Sequence, residues 1–213
     1  MLERLSQPAV GSTIRIEYFS DAVMAIIITL LVLELEIPDQ PMADGREVLL
    51  FLRHLLPSLG AFAFSFLTIA VFWVNHHHFF HELAKADWRL LWLNNHLLFW
   101  LALVPFTSAL LGRNLLTDAA PAVSALYCFV LFMAALAFML MSRHALFVVN
   151  LLDDHITQEQ RITHYRHGWT GVWAYGLATI LALVFLPGAL LLMLAIPVFY
   201  LVPNLMHDHE AMV

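Results

Sequence analysis

Runs of apolar residues about 20 long, the length at which a helix crosses the roughly 30 Å hydrocarbon layer of a bilayer, recur six times along the chain. They cover residues 17–37, 48–75, 90–111, 121–141, 169–186 and 189–202. Pro57 and Gly60 fall near the start of the second run, and Pro187-Gly188 marks a turn between the last two. The longest polar interval, residues 142–167, is too short to fold alone and reads as a loop or a helix extension. No internal repeat or low-complexity tract interrupts the pattern. The pattern predicts an all-α, polytopic membrane protein with six transmembrane helices in one domain, residues 1–213.

Composition supports this reading. Hydrophobic residues make up 62% of the chain and charged residues 12%, against about 45–50% and about 25% in ordinary soluble domains, so a water-soluble core is excluded. No basic patch is available for a nucleic-acid partner. Lys and Arg concentrate in the amino-terminal segment (Arg4, Arg15), between runs two and three (Lys85, Arg89) and in the polar interval (Arg143, Arg161, Arg166), while Arg46, Arg53 and Arg113 lie opposite. Because basic loops stay cytoplasmic, the expected topology is multi-pass in the plasma membrane with both termini cytoplasmic. The lone Cys128 lies inside an apolar run and reads as packing. The amino terminus has no small-residue cleavage site after its first apolar run, which argues against a cleaved signal peptide.

The first run is unusual. Only residues 22–33 are free of charge, so reaching membrane length brings in Glu17, Asp21 and Glu34. Acids at membrane depth cost about 2.5–3.5 kcal/mol each on insertion scales and usually face protein or water. Asp21 therefore needs partners. The expected antiparallel second run ends in Asn75-His76-His77-His78 and the third begins with Asn94-Asn95-His96, which places donors near it together with Ser20. A polar knot around Asp21 is expected to fix these helices. The segment from Ala22 to Leu35 contains neither Gly nor Pro and should form one continuous helix. On a 3.6-residue period Phe19, Ala22, Ile26, Leu30, Leu33 and Ile37 share one face, with Thr29 beside it. Periodicity alone does not separate a packing face from a pore lining.

The stretch from Arg15 through Phe19-Ser20-Asp21 into Ala25-Ile26-Ile27-Ile28-Thr29-Leu30-Leu31-Val32-Leu33 resembles the signature of the transmembrane protein 175 family, an Arg-x-x-x-Phe-Ser-Asp motif opening an apolar helix. Two further stretches are similar to the same family, Trp73 to Phe80 and Leu93 to Gly112. The resemblance implies a potassium-permeable channel without the Thr-Val-Gly-Tyr-Gly filter of ordinary potassium channels, built as a homotetramer of six-span subunits around four copies of the first helix. It implies that Ile26 forms a hydrophobic gate, that Leu30 and Leu33 continue the lining, and that Thr29 supplies the selectivity hydroxyl. Arg15, Phe19, Ser20, Asp21, Asn75, His76 and His77 would then form the structural motif at the helix end. No cofactor beyond the permeant potassium ion, no bound metal and no enzymatic activity are expected.

A second reading remains from the residues themselves. His77 and His81 stand at i and i+4 on one helix face and could hold a transition metal, so a secondary metal transporter using the His76–His81 cluster is the alternative. Such transporters place their ligands at the membrane midplane, whereas these histidines fall near the boundary. A di-iron oxidase would need more histidine boxes than the loose His164 and His167 pair provides. A multi-span scaffold without transport is the third class.

Overall fold

The computed structural model describes residues 12–149, 151–153 and 157–210; Arg4 and the side chains of His164 and His167 lie outside the described residues. Among these, seven α-helices follow one another: α1 (Ile14–Leu33), α2 (Gly45–His81), α3 (Trp88–Ala102), α4 (Val104–Asn114), α5 (Ala120–Arg143), α6 (Gln158–Val184) and α7 (Leu186–Glu210). A π turn, His144–Val148, continues α5.

The apolar runs locate these helices, and their ends differ for identifiable reasons. α1 begins ahead of residue 17 and stops at Leu33 rather than Ile37. Its last turn tightens through bonds from Glu34 N–H to the Leu31 carbonyl and from Leu35 N–H to the Val32 carbonyl. Ile37 precedes Pro38, whose ring disfavours helical backbone in the residue before it. α2 has 37 residues and so runs about 55 Å at 1.5 Å per residue, well beyond the roughly 30 Å hydrocarbon layer. Its start is capped by the Asp44 carboxylate, which accepts from the N–H groups of Arg46 and Glu47 at 2.9 Å each. Its polar end, Asn75 to His81, stays helical outside the apolar run.

The third run, expected as one helix, is two. It breaks at Leu103, two residues before Pro105. Proline lacks an N–H, and its ring crowds the carbonyl one turn earlier, here that of Leu101. The polar interval proves to be helix extension on its far side, since α6 already begins at Gln158. Only Phe185 separates α6 from α7, and Pro187 sits in the first turn of α7, where a missing N–H is harmless. Among the described residues, four segments are long and apolar enough to cross a membrane: Ile14–Leu33, Gly45–His81, Trp88–Asn114 and Ala120–Val148. The chain is an all-α polytopic membrane protein.

α5 is the packing centre, in contact with α3, α4, α6 and α7. Its buried side chains include Tyr127, Cys128, Leu131, Ala134, Ala137 and Met141, and the small alanines let neighbouring backbones approach closely, as membrane helices require. Polar groups in this core are satisfied in sequence. The Ser65 hydroxyl donates to Ser108 Oγ at 2.9 Å, and Ser108 donates to the Ala61 carbonyl at 3.3 Å. With its one proton so used, Ser65 accepts from the Tyr127 hydroxyl at 2.8 Å. Three hydroxyls thus tie α2, α4 and α5 together with no orphaned proton, which matters where water is absent.

A second tie closes the end of the bundle at the α2–α3 loop. Asp87 caps α3 by accepting from Leu90 N–H at 2.7 Å, and its other oxygen meets His144 Nε2 at 2.8 Å, both side chains buried. Backbone bonds from Ala84 N–H to the Leu151 carbonyl and from Asp153 N–H to the Glu82 carbonyl fasten the same loop to the chain beyond α5.

α4 lies against α2 so closely that a Cβ added at Gly112 would stand 2.7 Å from Ser58 Cα. Gly112→Ala must push the two backbones apart and is expected to cost about 1–3 kcal/mol, the usual range for overpacking. A lowered midpoint in thermal unfolding of the detergent-solubilised chain checks this, and an unchanged midpoint would show that α2 and α4 do not make the close contact.

Candidate functional site

The polar residues of α1 crowd into its first two turns and face the last turns of α2, so the two helices run antiparallel. Their contacts fall into two rows. The inner row is buried and includes α3. Asn94 Nδ2 donates to Ser20 Oγ at 2.9 Å, and Ser20 donates to the Ile16 carbonyl at 2.8 Å. Asn94 Oδ1, an acceptor only, lies 2.9 Å from His76 Nε2, so the histidine donates from that nitrogen. Its Nδ1 has no hydrogen-bond partner. His76 also stacks on Phe80, with ring centroids 4.4 Å apart.

The outer row is partly open. The Trp73 indole N–H donates to Asp21 Oδ1 at 2.9 Å. One turn outward, Glu17 Oε1 lies 3.2 Å from His77 Nδ1 and 3.9 Å from His81 Nε2. Glu17 and Asp21, one turn apart on α1, therefore match Trp73, His77 and His81, spaced by one turn each on α2.

A knot was expected around Asp21; the polar contacts at this end of α1 centre elsewhere. Asn94 is the hub and Asp21 sits half-buried at its edge, held by the indole of Trp73 rather than by Asn amides or imidazoles. Trp73 is the residue that sequence reasoning missed. The one-turn spacing of Glu17 and Asp21 opposite Trp73, His77 and His81 was the available signal. Asn75 turns back on its own helix, donating to the Val71 carbonyl at 2.8 Å, because a side chain amide next to a half-exposed position finds its i−4 carbonyl sooner than another helix. Arg15 and Phe19 point outward; they lie on the side of α1 away from the buried row. The His76–His81 cluster divides, with His76 turned inward to Asn94 and His77 and His81 turned to Glu17.

Beyond the knot, Ile16, Ser20, Met24, Ile27 and Leu31 form the buried face of α1. The opposite face is unpacked within the chain. Ile26 is 57% exposed and Leu33 74%, with Leu30 between them also exposed. Thr29 is exposed on the same side and donates its hydroxyl proton to the Ile26 carbonyl at 2.9 Å. With its proton used inside the helix, Thr29 presents oxygen lone pairs outward. At the far end of α1, Glu36 pairs with Arg113 Nη2 at 2.9 Å on the surface.

An all-α polytopic membrane protein whose first helix is locked by polar groups on one side, and left apolar with a single oxygen on the other, has the features of an ion-pathway protein. The comparisons make the class specific. The model of the TMEM175 family, described as endosomal/lysosomal potassium channel TMEM175, matches residues 15–105, the part that builds α1, α2, α3 and the start of α4. A potassium channel of Chamaesiphon minutus is 35% identical over 193 residues, which is 84% of this chain and 95% of that protein. A potassium channel of a Chryseobacterium species is 42% identical over 100 residues, covering 47% of this chain, so the match spans about half (49%) of that relative's length. The crystal structure of a lysosomal potassium-selective channel TMEM175 homolog from Chamaesiphon minutus is similar with a TM-score of 0.80 at 29% identity, covering 90% of this chain and 97% of that one. The chain belongs to the TMEM175 family.

One expectation is corrected by this finding. A plasma-membrane address was expected, whereas the matching family model describes an endosomal/lysosomal channel. The multi-pass part of the expectation stands. Hydropathy and Lys/Arg bias read how a chain crosses a bilayer, and they carry no information about which bilayer it is.

The two rows of the knot should respond differently to mutation. Asn94→Leu removes the acceptor of His76 and the donor to Ser20 in a buried place and should cost about 1–3 kcal/mol for each group left unpaired. Asp21→Ala should cost less, because the Trp73 indole is exposed enough to reach water. Thermal unfolding of both variants in detergent ranks them, and the reverse order would return Asp21 to the centre.

Proposed function

We propose that the chain is a potassium-permeable channel subunit, a single six-span domain that assembles as a homotetramer with four copies of α1 around the pathway. Its family membership supports the channel class and the absence of enzymatic activity. The relatives are potassium channels, which supplies the ion. In this reading α6 and α7 cross the membrane as the fifth and sixth spans.

The observation that carries the reading is the asymmetry of α1. Its polar groups are engaged on the packed side, and its free side bears Ile26, Thr29, Leu30 and Leu33. Four copies of Ile26 converging on an axis make a ring too apolar to hold water when narrow, so it closes by dewetting and opens by a small tilt or rotation of the helices. No charged side chain lies between Asp21 and Glu34. Ion preference then falls to neutral oxygens, and Thr29 is the one whose lone pairs face outward beside the ring. Leu30 and Leu33 continue the apolar lining. Asp21 and its neighbours fix the helix and do not touch the ion.

The metal-transporter alternative loses its main support, because the histidines sit at the helix ends and not at mid-membrane. Purified protein in potassium-loaded liposomes tests the channel. Ile26→Asn should hydrate the ring and raise basal potassium flux. Ile26→Cys, in a Cys128→Ala background, should make flux sensitive to a charged thiol reagent added from the aqueous side. Unchanged flux in the first and no sensitivity in the second would mean that this face of α1 meets lipid.

A further inference from the structure

The outer row of the knot has a chemistry that the potassium pathway does not use. Glu17, His77 and His81 each offer one ligand atom, and all three atoms lie within 4.8 Å of one another. We propose that these three residues form a binding site for a divalent transition-metal ion of the zinc class, which bridges α1 to α2.

The donor set is two imidazole nitrogens and one carboxylate oxygen, a combination suited to zinc and its neighbours in the first transition row and poorly suited to magnesium or calcium. Ligands around a tetrahedral zinc stand about 2.0–2.2 Å from the ion and so a little over 3 Å from one another. The Glu17–His77 separation of 3.2 Å already meets this, and the Glu17–His81 separation of 3.9 Å needs only a small rotation of an exposed side chain. Two features show preparation of the ligands. Glu17 is 15% exposed, which confines its carboxylate to the side facing α2. His77 is braced by two rings, stacked on Trp73 with centroids 5.8 Å apart and meeting the His81 ring edge-on at 4.4 Å. Trp73 is itself held by Asp21. Supporting contacts of this kind orient metal ligands and raise affinity.

His81 is 65% exposed, which gives an ion a path from water and leaves the fourth coordination position to a solvent molecule. The site differs from the transporter reading in its position and consequence. It lies at the joined ends of two helices, where an ion cross-links and does not travel. An ion held there also restrains the helix assigned above to the pathway. That consequence rests on the proposed function, whereas binding itself does not.

The test uses the full chain purified in detergent, with His207 and His209 replaced by alanine so that the tail histidines do not contribute. Titration with cobalt(II) should give one ion per subunit with the visible absorption of a nitrogen- and oxygen-ligated tetrahedral or five-coordinate ion, and zinc should displace it. His81→Ala and Glu17→Gln should each weaken binding by about 10-fold or more. Zinc should also raise the thermal unfolding midpoint of the parent, and His81→Ala should lose that rise. Trp73→Phe keeps all three ligands and should weaken binding less than either. Absence of saturable binding, or affinity indifferent to both His81→Ala and Glu17→Gln, would overturn the site and leave Glu17–His77 as a helix-joining ion pair.

Discussion

The rotational setting of α1 depends on one amide. Asn94 gives its N–H to Ser20 and takes one from His76, and these are buried groups in a layer where water cannot replace a lost partner. Turning α1 by a single residue, about 100°, would carry Ser20 away from Asn94 and leave the buried Asn94 amide without its α1 partner. At about 100° per residue, Thr29 lies about 180° round the helix from Ser20. Locking Ser20 inward thereby fixes Ile26, Thr29, Leu30 and Leu33 outward. The hydrogen bond stands at one end of the helix and determines the chemistry that the middle presents.

The outer row works with the helix termini. Glu17 lies in the first turn of α1, and His78 and His81 in the last turn of α2, so the acid meets the positive end of one helix dipole and the imidazoles meet the negative end of another. The long polar extension of α2 is what brings these groups together. A helix ending with its apolar run at Asn75 would leave Glu17 facing water, and α1 would be joined to its neighbour only through the buried row.

The all-α membrane class and the approximate place of the helices were legible because an apolar run in a bilayer has only one open-ended solution, a helix that satisfies its own backbone; the division of the third run into two helices was not. Helix ends were less legible. Hydropathy registers the part of α2 inside the membrane and is blind to the turns beyond it, where Asn75 to His81 pair with protein. Proline gave no consistent signal either, since Pro57 is carried within α2 while Pro105 follows the break at Leu103. In the site, charge at the wrong depth pointed to Asp21 and its surroundings, where Ser20 and His76 meet Asn94 and His77 meets Glu17. The hub Asn94 and the indole of Trp73 drew less notice because neither carries a charge. The buried Asp87–His144 pair joins residues from distant parts of the chain, and no local pattern announces it.

Several contacts join the part of the chain that builds the knot to the part around α5, and one of them is a shared hydroxyl. The family match ends at residue 105, after the helices that build the knot and the apolar stripe, while the packing centre is α5, beyond that limit. Tyr127 of α5 spans the division through Ser65 and Ser108, reaching α2 and α4 at once. Its ring also packs on Phe64, with centroids 5.8 Å apart. α2 is thus held to α5 by Tyr127 near its middle and to α1 by Trp73, His76 and His77 near its end. Displacement of α1 is resisted at the knot, while the α2–α4–α5 contact supplies the fixed frame against which any tilt of α1 must occur.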